Sequence, residues 1–119
     1  MVRNAKFLLL AAWFSSGAGA ALAQDDASFA RRGEALLASN CSRCHAIGRS
    51  GDSTHPEAPP FRSLGRRYPI ESLAEALGEG LVTGHPDMPE FVFEVADVGA
   101  ILAYMQSIQG PSTRPPSKR

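Results

Sequence analysis

Between Lys6 and Lys118 the chain has no lysine at all. From Gln24 to Gly110 it carries seven arginines against twelve aspartates and glutamates, so a formally neutral chain contains an acidic body. Such a body is repelled by phosphate backbones, which argues against non-specific nucleic-acid binding. It suits a protein partner with a basic docking patch instead. Cysteine is equally scarce: Cys41 and Cys44 are the only two. A disulfide across two intervening residues restrains almost no chain, because the entropic gain grows with loop length. A structural zinc site lacks its second ligand pair, since beyond His45 only His55 and His85 remain, each in its own loop. The one tryptophan is Trp13, near the N-terminus. The longest apolar run, Phe7 to Phe14, falls short of the roughly 20 residues that span a bilayer. No segment alternates convincingly as a strand, and there is no internal repeat.

What is present begins with a leader. Arg3 and Lys6 precede the run Phe7–Phe14, and the small residues Ser15–Ala23 end in Ala21-Leu22-Ala23. This is the layout of a secretory signal peptide over residues 1–23, with cleavage after Ala23 and export to the bacterial periplasm. A retained anchor is the competing reading, and a lipid anchor is excluded because no cysteine follows the site. Residues 24–110 then form one domain. Residues 111–119, rich in Pro, Ser and charge, read as a disordered tail. A domain this short needs a staple, and the cysteine pair is too close together to be a useful one.

The domain reads as all-α. Asp25, Asp26 and Ser28 offer caps for a first helix whose face carries Phe29, Gly33, Leu36 and Leu37 and which runs into Cys41. Gly33 on that face suggests a close backbone approach, with an unremarkable surface glycine as the equal alternative. Residues 48–61 are loop, punctuated by Gly and Pro. Pro69 suits the first turn of a second helix. Its stripe is Ile70, Leu73, Ala74, Leu77 and Leu81, weakened and ended by Gly78 and Gly80. Residues 82–91 are loop again, with Pro86 and Pro89 around Met88. A last helix starts near Glu94 and buries Val95, Val98, Ile101, Leu102, Met105 and Ile108, until Gly110-Pro111 stops it. Loops this long in so small a domain are uncommon unless functional, so they must pack around something.

"CSRCH", Cys41 to His45, supplies the candidate. C-x-x-C-H is the attachment motif for a c-type haem. One turn brings two sulfurs to the two vinyl groups of a porphyrin, where each can form a thioether, and it points the following imidazole at the iron. A thiol redox pair would want a βαβ context, which is missing. The iron then needs a sixth ligand. Met105 lies on the apolar stripe of the last helix and reads as core. Met88 lies in a loop between two prolines and reads as a ligand, with His85 in the same loop as its rival.

The Gly33 helix, "CSRCH", "APPF" (Ala58 to Phe61), "MPEF" (Met88 to Phe91) and a closing helix with Tyr104 together resemble the small class I monohaem cytochromes c of bacteria. The resemblance runs from Ser28 to Ile108. It implies three main helices with long loops wrapped around one covalent haem c, the iron held by His45 and Met88. It further implies that Gly33 lies close to Tyr104 where the first and last helices cross. Pro59 is the candidate whose carbonyl holds His45, with Pro60 as runner-up. Arg66, Arg67 and Tyr68 fall near where the family supplies propionate partners, although the tryptophan many members place there is absent. Ile47, Phe61, Leu64, Phe91 and Phe93 are candidates to line the pocket. The function so implied is a periplasmic one-electron carrier, not an enzyme, that meets its donor and acceptor in short-lived contacts. The alternatives are a haem enzyme or gas sensor in which Met88 dissociates, with His85 and Asp87 as distal groups, and, more remotely, a haem-free thiol or zinc module.

Overall fold

The computed structural model describes residues 18–80 and 87–110. Most of the predicted leader, Leu81, His85 and the tail from 111 lie outside them. All regular structure among the described residues is helical, as expected. α1 spans Ala18–Asn40, a 3-10 helix follows at Phe61–Arg66, and a second one at Ile70–Leu73 leads directly into α2, Ala74–Glu79. The last element is α3, Val95–Ser107. No helix among the described residues is long and apolar enough to cross a membrane.

α1 begins earlier than its cap signals suggested. Alanine is the strongest helix former, and the Ala-rich stretch before Asp25 continues the helix. Asp25, Asp26 and Ser28 therefore sit inside it, where Ser28 Oγ donates to the Asp25 carbonyl at 2.8 Å. Gly80 ends the second helical stretch as expected, as a C-cap with φ of 106°, whereas Pro69 sits one place before the expected first turn, as the N-cap. The Phe61–Arg66 helix was not anticipated, since its short turn has no long apolar period to betray it.

α1 and α3 pack backbone to backbone. A Cβ on Gly33 would stand 1.9 Å from the Ala100 carbonyl oxygen and 2.9 Å from the Ile101 nitrogen. The atoms nearest to such a Cβ are thus the backbone of Ala100 and Ile101. Tyr104 lies one turn further along α3, and its hydroxyl donates to Glu34 Oε1 at 3.3 Å. On the reciprocal side the Phe29 ring lies over Gly99, where a Cβ would meet Cζ at 3.2 Å. Arg32 Nη2 pairs with Asp97 Oδ1 at 2.5 Å across the same interface. Asp97 is in the first turn of α3, where a carboxylate also favours the helix dipole.

The core joins Leu37, Phe61, Leu64, Ile70, Ile101, Tyr104, Met105 and Ile108. Met105 is 2% exposed, in keeping with a packing role. The expected α3 stripe needs two corrections. Val95 is 89% exposed because it opens the helix beyond the reach of the core, and Ala100 and Tyr104 are buried in addition. Of the expected Gly110-Pro111 stop, Pro111 lies outside the described residues, and α3 already ends at Ser107. Side chains close α3 instead. Gln109 Nε2 donates to the carbonyls of Met105 at 2.7 Å and Phe61 at 3.0 Å, and Gln109 Oε1 accepts the Gly65 N–H at 2.9 Å. Arg49 Nη2 donates to the Ser107 carbonyl at 2.5 Å. One glutamine thus ties the helix end to the 3-10 helix that carries Phe61.

Two outcomes follow from this packing. Gly33→Ala forces the helices apart and lowers stability by about 1–3 kcal/mol or more, as overpacking does. Gly48→Ala, whose Cβ would meet nothing closer than 4.0 Å, leaves the denaturant midpoint nearly unchanged. The Tyr104 hydroxyl has its pKa raised above the ordinary 10.0, first by burial and then by the Glu34 carboxylate, with Arg49 opposing. An acid whose folded pKa is raised ionises first in the unfolded chain. Its contribution is therefore fully present below pH 10.0 and declines as pH rises past that value. Unfolding titrations from pH 8 upward should show the decline, on the order of the proton uptake linked to one group, and Tyr104→Phe should remove it.

Candidate functional site

α1 hands its last hydrogen bonds to the cysteine motif. The Leu37 carbonyl accepts from Cys41 N–H at 2.8 Å and Ser42 N–H at 3.1 Å. The Cys41 carbonyl then accepts from Cys44 N–H at 3.1 Å and His45 N–H at 2.9 Å. This single turn brings both thiols and the imidazole to one wall of a cavity. His45 Nδ1 stands 2.8 Å from the Pro59 carbonyl oxygen. A carbonyl can only accept, so Nδ1 carries the hydrogen and Nε2 keeps its lone pair. The neighbouring Pro60 carbonyl accepts from the Ser63 N–H at 3.0 Å and the Ser63 hydroxyl at 2.7 Å. Phe61 packs against the imidazole with ring centroids 4.7 Å apart and a tilt of 33°.

The loop from Gly48 to Pro60 is stitched to the motif rather than left loose. Ala46 N–H donates to Ser53 Oγ at 3.0 Å, Thr54 Oγ1 to the Arg43 carbonyl at 2.5 Å, and His55 N–H to the Cys44 carbonyl at 3.2 Å. Phe61 N–H closes the loop on the Ala46 carbonyl at 3.0 Å. The lining is completed by Asp87, Met88, Pro89 and Phe91 from a second stretch of chain. That segment is held by Phe93 N–H, which donates to the Leu77 carbonyl of α2 at 2.9 Å, and by the stacked rings of Phe91 and Phe93, 6.0 Å apart.

The cavity measures about 410 Å³. Its described lining is Asn40, Cys41, Arg43, Cys44, His45, His55, Glu57, Ala58, Pro59, Phe61 and those four residues. The donors here are two thiols, the imidazoles of His45 and His55, one thioether and the carboxylates of Glu57 and Asp87, beside the apolar Ala58, Pro59, Phe61, Pro89 and Phe91. Among the described residues no three His, Cys, Asp or Glu side chains converge as a bare metal ion would need. Burial pushes the Cys41 thiol up to about 11. A redox-active thiol is made by the opposite effect, a lowered pKa. The donor set therefore fits an iron carried on a flat apolar macrocycle better than a zinc ion or a thiol switch.

The comparisons with known proteins agree with that chemistry. The family model described as "Cytochrome C oxidase, cbb3-type, subunit III" matches residues 28–105. The chain belongs to this family of c-type cytochromes. It is also 32% identical over 95 residues to cytochrome c-552 of Bradyrhizobium diazoefficiens, across 80% of this chain and 86% of that protein. No solved structure matches. Membership makes the chain a c-type haem protein of electron transfer.

In this cytochrome the matched stretch includes the cysteine motif, the Met88 segment and most of α3. Of the side chains expected at the pocket, Phe61 and Phe91 line it, whereas Ile47, Leu64 and Phe93 pack into or against the core. Arg66 and Arg67 are exposed, Tyr68 packs against the core, and none of the three is in the described lining. Locally, Arg67 N–H and Tyr68 N–H both fold back onto the Leu64 carbonyl, at 2.9 and 3.3 Å. The polar lining residues Asn40, Arg43, His55 and Glu57 were not anticipated. Arg43 alone had a signal, its place inside the motif.

Phe61 is 7% exposed and touches both the core and the imidazole. Phe61→Ala is expected to cost about 3–5 kcal/mol in denaturant unfolding. Phe61→Leu, which keeps most of the volume, should cost less than half of that.

Proposed function

We propose that this cytochrome is a periplasmic one-electron carrier with a single haem c, attached through Cys41 and Cys44 and ligated by His45 and Met88. One observation carries the reading: His45, whose Nδ1 is engaged by the Pro59 carbonyl, lines a single cavity together with Met88 and both cysteines. The single C-x-x-C-H motif supports one haem. The leader over residues 1–23 supports export, with a domain over 24–110 and a short tail at 111–119.

Bound there, the haem supplies a reversible one-electron couple at its iron. The protein sets its terms. The Pro59 carbonyl holds the His45 ring in one orientation and one tautomer, and makes the ligating nitrogen more basic. Met88 offers a soft neutral sulfur that favours the reduced metal and raises the potential. Phe61, Phe91 and the proline-lined walls exclude water, which further disfavours the more charged oxidised state. Were His45 and Met88 both to hold the iron, no position would be left open for oxygen or peroxide, and the group would exchange electrons without making or breaking bonds. Donor and acceptor are redox proteins met in small, transient contacts.

Absorption spectroscopy of periplasmically matured protein tests this. A pyridine haemochrome of c type and a near-infrared methionine-to-iron band in the oxidised state are expected. Met88→Ala should abolish that band, admit carbon monoxide to the reduced protein and lower the potential. A parent protein that is high-spin or binds carbon monoxide at rest would overturn the reading.

A further inference from the structure

We propose that His55 is a positioning residue for the sixth ligand, a side-chain latch that holds the Met88 segment against the wall formed by the cysteine motif. The proposal rests on the reading of Met88 as that ligand. His55 Nε2 stands 3.4 Å from Asp87 Oδ2, and Asp87 immediately precedes Met88. Both residues line the cavity, so the contact joins the two stretches of chain that border it. His55 is itself fixed to the stretch that carries the cysteine motif. Its N–H donates to the Cys44 carbonyl at 3.2 Å, one residue from His45, and its carbonyl accepts from Ala58 N–H at 3.1 Å.

The ring has a set tautomer. Glu57 N–H donates to His55 Nδ1 at 3.2 Å, so Nδ1 is the acceptor and Nε2 carries the hydrogen. That hydrogen faces the Asp87 carboxylate, and the bond is charge-assisted on the acceptor side without requiring a charged histidine. The Thr54 hydroxyl, bonded to the Arg43 carbonyl, holds the segment just before the ring. The geometry therefore links the two segments that carry His45 and Met88 through one imidazole. A thioether is a weak iron ligand in competition with added nitrogen bases, so its effective strength depends on how firmly its segment is held in place.

The contact is modest in size. Asp87 has 76% side-chain exposure and the bond is long, so the latch belongs with exposed pairs. Imidazole, which displaces an axial methionine from the oxidised iron, measures it directly on the full-length holoprotein. His55→Ala and Asp87→Ala should each tighten imidazole binding by roughly three- to fivefold, as loss of one exposed pair allows. The double variant should tighten it no more than either single one, as for partners in one interaction. His55→Gln, whose amide can still donate to Asp87, should restore most of the parental affinity. Should His55→Ala fail to fold, the exposed Asp87→Ala carries the test alone. Parental affinity in the single variants, or additive effects in the double one, would overturn the latch while the methionine band of the parent still stands. Absence of that band from the parent would overturn the ligand reading and the latch together.

Discussion

Gly33 lets the backbones of α1 and α3 touch, and the rest of the molecule is arranged from that contact. Any side chain at this position would collide with the Ala100 carbonyl. With none there, Leu37 and Ile101 come together at the crossing and are almost wholly removed from water. The ends of the two helices are then committed. α1 terminates at the C-x-x-C-H turn, whose first bonds are accepted by the carbonyl of the same Leu37 that anchors the core. The end of α3 is carried to the Phe61–Arg66 helix and held there by Gln109. Phe61 therefore reaches the His45 ring from a position set by the helix crossing.

The site is consequently not a local feature. Its lining comes from two segments with different supports. The cysteine motif and the loop to Pro60 are bound to each other by backbone and hydroxyl hydrogen bonds. The Met88 segment hangs between α2, through the Leu77 carbonyl, and the start of α3. Such a division suits an electron carrier. On the proposed reading, the hydrogen-bonded motif and loop would keep the His45 imidazole and its orienting carbonyl in place while the Met88 segment would supply a soft ligand. Little would then need to move when the charge on the iron changes, and a small reorganisation would make electron exchange fast.

The small core also explains why the chain has so few regular elements. Ten apolar side chains are buried among the described residues, a modest number for a domain of this length. Long loops normally cost entropy without return. Here they line a cavity, and a haem filling it would give them apolar surface to bury. On the proposed reading the prosthetic group is thus both the reactive centre and the staple that two adjacent cysteines could not provide as a disulfide.

Much of this was legible in the residues. The C-x-x-C-H spacing specifies a chemistry because one turn of chain has only one way to present two sulfurs and an imidazole together. The glycine on an apolar helix face announced a close approach, and Pro59 was singled out as the carbonyl that now lies against His45. Those are local properties, determined by spacing along the chain. The misses were of another kind. Gly33 meets the backbone of Ala100, Gln109 ties the end of α3 to Phe61 and Gly65, Val95 is exposed, and His55 reaches Asp87. Each depends on the relative rotation and offset of elements far apart in sequence, which no periodicity records. The sequence by itself therefore determined which groups this protein presents and what chemistry they suit. Only the tertiary structure decided which of them face one another, because that is set by how closely two helices can approach where a side chain is missing.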